Sequence, residues 1–138
     1  MALAKLKLYR LPERIPPADM PRGAEVVDRA IGRLAALRER PFFLFVHFMD
    51  THHPYVPPPS FGGMFVASGA ANLTPDALWR RNEAVFSMLP SEEELLPRGD
   101  LLRMIDLYDG SIRYVDQQIG RLLGELDRLG LAERTLVV

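Results

Sequence analysis

The side chains best suited to chemistry in this sequence follow an apolar run at residues 42–49. Asp50, His52, His53 and Tyr55 come directly after that run. Imidazole changes charge near neutral pH, so either histidine could bind a metal, transfer a proton or donate a hydrogen bond to an anionic oxygen. The spacing equally allows a structural or solvent-exposed role. Successive side chains of extended backbone alternate between two faces, so we expect only one of the two histidines to point into a site.

The elements that must position these residues are predicted to be those of an α/β protein. The run at 42–49 is typical of a buried strand, and the chain from Thr135 opens like another. Between them, apolar spacing over residues 100–129 predicts a long amphipathic helix that ends near Gly130. Strand, crossover helix and strand form one βαβ unit of a mostly parallel sheet covered by helices. Ligands bind such sheets beyond the carboxyl ends of the strands, where residues 50–55 would lie.

Three helices are predicted in all. The first covers residues 23–38, and a short one starts at Thr74 and Pro75 and reaches Val85. The long helix is expected to pack on the sheet through one apolar stripe, which consists of Leu101, Ile105, Tyr108, Ile112, Val115, Ile119, Leu122, Leu126 and Leu129. Its acidic residues are expected to be mostly solvated or to act as helix caps: Asp106, Asp109, Asp116 and Asp127.

The composition limits the classes of partner. The chain has 138 residues, of which 48% are hydrophobic and 25% charged, as is usual for a globular protein. Seventeen basic and 18 acidic residues give a net charge of -1, which disfavours nucleic acid and anionic membrane surfaces as partners. No apolar stretch reaches the roughly 20 residues of a membrane span. With no cysteine, the chain offers no disulfide, thiolate ligand or cysteine nucleophile, and its compartment stays undetermined.

Two segments resemble the sulfatase family of the alkaline phosphatase superfamily. Residues 41–58, PFFLFVHFMDTHHPYVPP, are similar to a hydrophobic strand of that family that leads into a His-x-Pro-Tyr/Phe loop. Residues 107–138, LYDGSIRYVDQQIGRLLGELDRLGLAERTLVV, are similar to its long helix and the strand after it. The resemblance implies a partial sulfatase catalytic domain at residues 23–138, after an extended connector at residues 1–22. It also implies hydrolysis of a small-molecule or glycan sulfate ester.

Site residues follow from matching this sequence to the family's His-x-Pro loop. His52 takes the place of the histidine, His53 that of the variable residue, and Tyr55 that of the aromatic residue. In the family that histidine reaches the sulfate of the substrate, so the resemblance implies a catalytic and substrate-binding role for His52. His53 and Tyr55 are the further candidates for substrate binding, although we expect His53 to face away and Tyr55 to support the loop.

The chain departs from the family pattern in two places. The family's nucleophile is a formylglycine made within a Cys/Ser-x-Pro-x-Arg motif, and its calcium ligands include an Asp pair and an Asp-His-Gly or Asp-Asn segment. This sequence contains none of these motifs. We therefore expect no metal site in this chain, and calcium and formylglycine only in an intact parent. The chain is interpreted as a central fragment, incomplete at both ends and inactive without the remainder of the catalytic domain.

Two alternatives stay open. Related phosphoryl hydrolases and transferases of the same superfamily use a similar loop, so the substrate could be a phosphate ester. The chain could instead be a non-catalytic module that docks a partner through the apolar stripe of its long helix.

Overall fold

The computed structural model of the chain describes residues 22–81 and 97–138. In these residues there are three α-helices and one 3₁₀ helix: α1 is Gly23–Leu37, α2 is Pro75–Arg81, α3 is Arg98–Arg128, and the 3₁₀ helix is Ala132–Arg134. Helix α1 packs against α3. The loop before α2 is attached to the first half of α3 by hydrogen bonds. Among the described helices, none has both the length and the apolarity to cross a membrane.

Helix α1 packs on the C-terminal part of α3 through an apolar core. The predicted helix is confirmed, and its buried residues lie three or four positions apart, as an amphipathic helix requires. Leu34 of α1 is buried together with Leu126 of α3 and Leu131 beyond it. Four partly buried side chains cover this cluster: Phe42, Leu44, Leu122 and Leu129.

The predicted long helix is confirmed as α3, and it ends near Gly130 as predicted. Gly130 has a φ of +67°, in the left-handed region that glycine adopts without strain, and its N–H donates to the carbonyl of Asp127 at 2.9 Å. The predicted packing face is wrong in large part, because Leu126 is the only member of the apolar stripe that is buried. Five members of the stripe are exposed instead: Leu101, Ile105, Tyr108, Ile112 and Ile119. The buried face of α3 is instead turned toward α1 and toward the loop that precedes α2.

Helix α2 begins where the sequence predicts. The hydroxyl oxygen of Thr74 accepts a hydrogen bond from the N–H of Ala77 at 3.2 Å, as an N-cap does. Leu78 is the buried residue of this short helix. The predicted continuation to Val85 lies outside the described residues, as does nearly all of the connector at residues 1–22.

The predicted α/β fold is wrong for the described part of the chain, which contains helices and no strand or sheet. Residues 42–48 do alternate as a strand would, with Phe43 and Phe45 90% and 72% exposed and their neighbours partly covered. A strand, however, is defined by backbone hydrogen bonds to a neighbour. No described segment supplies that neighbour to residues 42–49 or to the chain from Thr135, so the predicted βαβ unit is absent from these residues.

Candidate functional site

The two adjacent histidines lie in a turn at the end of residues 42–49. The N–H of His52 donates to the carbonyl of Met49 at 2.9 Å, which closes the turn. The alternation expected of extended backbone therefore does not apply here. The rings of His52 and His53 stack instead, with centroids 4.4 Å apart and an angle of 27° between their planes. Both side chains are exposed.

His52 has one ring nitrogen fixed and the other available. Its Nδ1 lies 2.7 Å from the backbone carbonyl oxygen of His53. A carbonyl oxygen can only accept, so Nδ1 must carry the hydrogen of this bond. The neutral ring then has an unprotonated Nε2, and only the imidazolium form can donate from Nε2. No described residue bonds to Nε2, which leaves that atom open to a ligand.

A third ring extends the histidine pair. The indole of Trp79 in α2 stacks on His53, with centroids 5.5 Å apart and an angle of 15° between the planes. Sequence reasoning placed Trp79 on a short helix and gave it no role. The available signal was that the only tryptophan of the chain lies in the irregular segment that follows the histidines.

A small groove opens beside His53 and is lined mostly by apolar atoms. Its enclosed space is small, about 10 Å³, which is room for roughly one water molecule. Tyr55 forms one wall and is itself supported by Tyr108 of α3, whose ring centroid lies 5.0 Å away. The other lining residues are His53, Pro54, Pro75, Leu78, Trp79, Met104 and Leu107. Tyr55 thus contacts α3 through Tyr108 and also lines the groove next to the histidines.

Asp50 joins the start of this loop to helix α1. Its Oδ1 accepts a hydrogen bond from the N–H of Gly23 at 3.1 Å, where Arg22 provides no side-chain cap. A carboxylate is favoured there because the free N–H groups at a helix N-terminus carry partial positive charge. Its Oδ2 is buried and has no hydrogen-bond partner within the described residues. Asp50 therefore attaches the turn that contains His52 to the first turn of α1.

Arg103 and Asp106 hold the following loop on α3. The Oδ1 of Asp106 accepts from the N–H of Phe65 at 3.1 Å, and Arg103 pairs with the other carboxylate oxygen. Arg103 also donates to the carbonyl oxygens of Gly62 at 2.8 Å and Leu73 at 3.0 Å. The side chain of Asp106 is fully buried, so the expectation that it is solvated is wrong. Its burial is tolerated because each oxygen has a donor.

Gly110 lets the loop approach the helix closely. A Cβ atom added at this position would overlap the carbonyl oxygen of Phe61 and would also meet Pro57 at 3.4 Å. The ring of Phe61 packs edge-on against Tyr114, one helical turn farther along α3. A glycine is therefore required at the point where loop backbone touches helix backbone.

The described residues do not fit a calcium site. Residues 22–81 and 97–138 contain no group of three or more His, Asp or Glu side chains that could hold a metal ion together. The full sequence contains no cysteine from which a formylglycine could form.

Comparison with known proteins identifies the family. A family model described as Sulfatase matches residues 9–138, which is nearly the whole chain. The chain therefore belongs to the sulfatase family, and at that level it is a sulfatase-like hydrolase sequence. No curated protein and no solved structure gives a significant match.

Proposed function

We propose that this chain forms part of an enzyme that hydrolyses sulfate esters, and that His52 binds the sulfate group. The observation that carries the proposal is the state of the His52 ring, which is exposed, held at Nδ1 and open at Nε2. Membership of the sulfatase family supports the choice of a sulfate ester as the ligand.

The chemistry open to His52 is donation of a hydrogen bond to an anionic oxygen. Because Nδ1 already donates to the carbonyl of His53, the imidazolium form is the one that donates from Nε2. Cleavage of a sulfate ester breaks the S–O bond to the alcohol and places negative charge on the leaving oxygen. A donor aimed at a sulfuryl oxygen or at that leaving oxygen lowers the barrier.

The described groups support binding more than turnover. The described residues include no metal-binding cluster, and the sequence has no Cys/Ser-x-Pro-x-Arg motif for a formylglycine nucleophile. We therefore expect the polypeptide to bind a sulfate ester without hydrolysing it, and an assay with an aryl sulfate and calcium should show no turnover. Turnover at the rate of a complete sulfatase would contradict this part of the proposal.

The test of binding is an NMR titration of the histidine rings with inorganic sulfate and with methyl sulfate. We expect both ligands to shift the resonances of His52. His52→Gln should weaken binding roughly tenfold to hundredfold, since a hydrogen bond to a charged group contributes about 1.5–3 kcal/mol.

His47→Gln is the matched control. His47 is also exposed, but it precedes the turn and its Nε2 lies 3.0 Å from the sulfur of Met49. Sulfate binding that falls equally in both variants would reflect general charge and would refute a specific role for His52. Clearly tighter binding of methyl phosphate than of methyl sulfate would indicate that the ligand is a phosphate ester and not a sulfate ester.

A further inference from the structure

We propose that Tyr114 of α3 is a positioning residue for His52, and that it acts through the first turn of α1. The connection runs from the hydroxyl of Tyr114 to Ala24 and Gly23, and from Gly23 to Asp50 in the histidine turn. For its effect on ligand binding this inference rests on the proposed function, because a displaced His52 ring would bind sulfate less tightly.

Two adjacent backbone N–H groups at the start of α1 carry this connection. The N–H of Ala24 donates to the hydroxyl oxygen of Tyr114 at 2.9 Å, and the N–H of Gly23 donates to Oδ1 of Asp50 at 3.1 Å. Neither N–H has a partner within the helix, because the first four N–H groups of an α-helix follow no earlier turn. Neighbouring peptides of one helical turn therefore hold the two acceptor side chains beside each other.

The packing around Gly23 leaves this turn of α1 little room to move. A Cβ atom added at Gly23 would lie 3.2 Å from Oδ2 of Asp50 and 3.4 Å from Cγ of Gln118 on α3. Tyr114 is 5% exposed, so little water reaches it. Closely packed groups have low compressibility and transmit a displacement to their neighbours. A shift of the first turn of α1 relative to α3 should therefore reach the histidine turn.

A second contact holds the far end of the histidine segment to the same part of the chain. The guanidinium group of Arg22, the residue before α1, donates to the carbonyl oxygen of Val56 at 3.3 Å. His52 thus lies between Asp50 and Val56, which are bonded to two consecutive residues at the start of α1. The position of that start depends in turn on its hydrogen bond to Tyr114.

Tyr114→Phe is the decisive variant. It removes only the hydroxyl group and keeps the ring that packs against Phe61, but it leaves the N–H of Ala24 without its acceptor. We expect the affinity for inorganic sulfate to fall about threefold to tenfold, which corresponds to the net contribution of one hydrogen bond. The reason is that a site correctly formed for only a fraction of the time loses affinity by that fraction. NMR titration of the His52 ring measures the change.

Ser111→Ala is the matched control. It also removes a buried hydroxyl group from α3, but the hydroxyl of Ser111 donates to the carbonyl oxygen of Leu107 in the same helix, at 2.9 Å. Ser111→Ala should therefore leave the sulfate affinity unchanged. Circular dichroism establishes that this variant and Tyr114→Phe are folded.

Substitutions of Asp50 test the connection from its other end. Asp50→Ala removes the acceptor and should weaken sulfate binding, whereas Asp50→Asn keeps an oxygen there and should restore most of the affinity. Adding Tyr114→Phe to Asp50→Ala should weaken binding little further, because both substitutions release the same turn of α1. Effects that multiply in the double variant would show that the two residues act independently and would overturn the connection through α1.

The His52 ring in the free protein gives a readout that needs no ligand. Its Nδ1 carries the hydrogen bonded to the carbonyl of His53, and nitrogen chemical shifts report which ring nitrogen is protonated in the neutral form. Tyr114→Phe should increase the population protonated at Nε2. That increase in a protein that does not bind sulfate would support the positioning role and overturn the proposed function. An unchanged ring and unchanged sulfate affinity in folded Tyr114→Phe would overturn the positioning role alone.

Discussion

The two halves of helix α3 are held by different kinds of interaction. Residues 100–114 face the loop that follows the histidines, and their buried side includes Asp106, Gly110 and Ser111. Residues 115–128 face α1, where Leu126 joins an apolar cluster with Leu34. The first half is held by ion pairs, directed hydrogen bonds and one close backbone contact. The second half is held by apolar burial, together with one largely exposed ion pair between Arg121 and Asp28 of α1.

This difference separates positioning from general stability. Apolar burial has no preferred direction, so it stabilises the packing of α1 on α3 without fixing a side chain in one place. Hydrogen bonds and close contacts do define positions, and here they act on the loop that carries the histidines and the groove. Substitutions in the first half should therefore disturb the site strongly, whereas exposed positions in the second half should tolerate change.

The largest effect is expected for Asp106→Ala. This substitution leaves the N–H of Phe65 without its acceptor and leaves Arg103, which is mostly buried, without its carboxylate. Removing one partner of a buried ion pair costs about 3–5 kcal/mol. Urea denaturation followed by circular dichroism should show that the free energy of unfolding falls by about this amount. The fluorescence of Trp79 should also change, because the loop that it contacts is displaced.

Asp116→Ala provides the control for that prediction. Asp116 also pairs with an arginine three residues away on α3, but both side chains are largely exposed. Such exposed pairs contribute about 1 kcal/mol or less. Equal losses in the two variants would show that the loop is not anchored through Asp106.

A smaller effect on stability is expected when either of two glycines in α3 is replaced by alanine, and the two substitutions should have opposite signs. Gly110→Ala places a methyl group against the backbone of Phe61, so it should cost about 1–3 kcal/mol despite the better helix propensity of alanine. Gly120→Ala meets no atom within 4 Å and should stabilise the helix by about 1 kcal/mol. Chemical denaturation measures both. A stabilising Gly110→Ala would mean that loop and helix do not make this contact.

The helices were predictable from the sequence because their signals are local. Thr74 and Gly130 mark helix ends through their own chemistry, and the apolar spacing of α1 and α3 depends only on the 3.6-residue repeat. The apolar stripe of α3 nevertheless led to the wrong buried face. Asp106 and Gly110 are buried because particular loop atoms meet them, and no periodicity encodes a partner that lies 41 residues away.

The predictions of the strand and of the site were limited in the same way, because a local pattern does not specify a partner that is distant in the sequence. The continuous apolar run at residues 42–49 predicts a buried strand, but Phe43 and Phe45 are exposed, because the run itself cannot supply the neighbouring strand that a sheet needs. His52 and His53 were predicted as site residues because they are adjacent and follow an apolar run. Trp79 was missed because its contact with His53 arises from the path of a long loop, which composition does not define.

The smallest effect is expected for the ion pair of Glu125 and Arg128 in the second half of α3. Two hydrogen bonds from the Arg128 guanidinium, at 2.7 and 2.6 Å, hold the pKa of the Glu125 carboxyl below its usual value. The same hydrogen bonds raise the pKa of Arg128, which stays charged throughout. A carboxyl group with a lowered pKa stabilises the fold above its unfolded-state pKa of about 4.3, and this contribution is lost as the pH falls through the folded-state value.

The measurement is a double-mutant cycle of Glu125→Gln and Arg128→Gln at neutral and at acidic pH. We expect a small coupling free energy at neutral pH, because the Arg128 side chain is 67% exposed and the pair is therefore screened by water and salt. The coupling should disappear in acid, where the wild-type carboxyl group becomes as neutral as glutamine. Coupling of the same size at both pH values would mean that the pair acts through packing and not through charge.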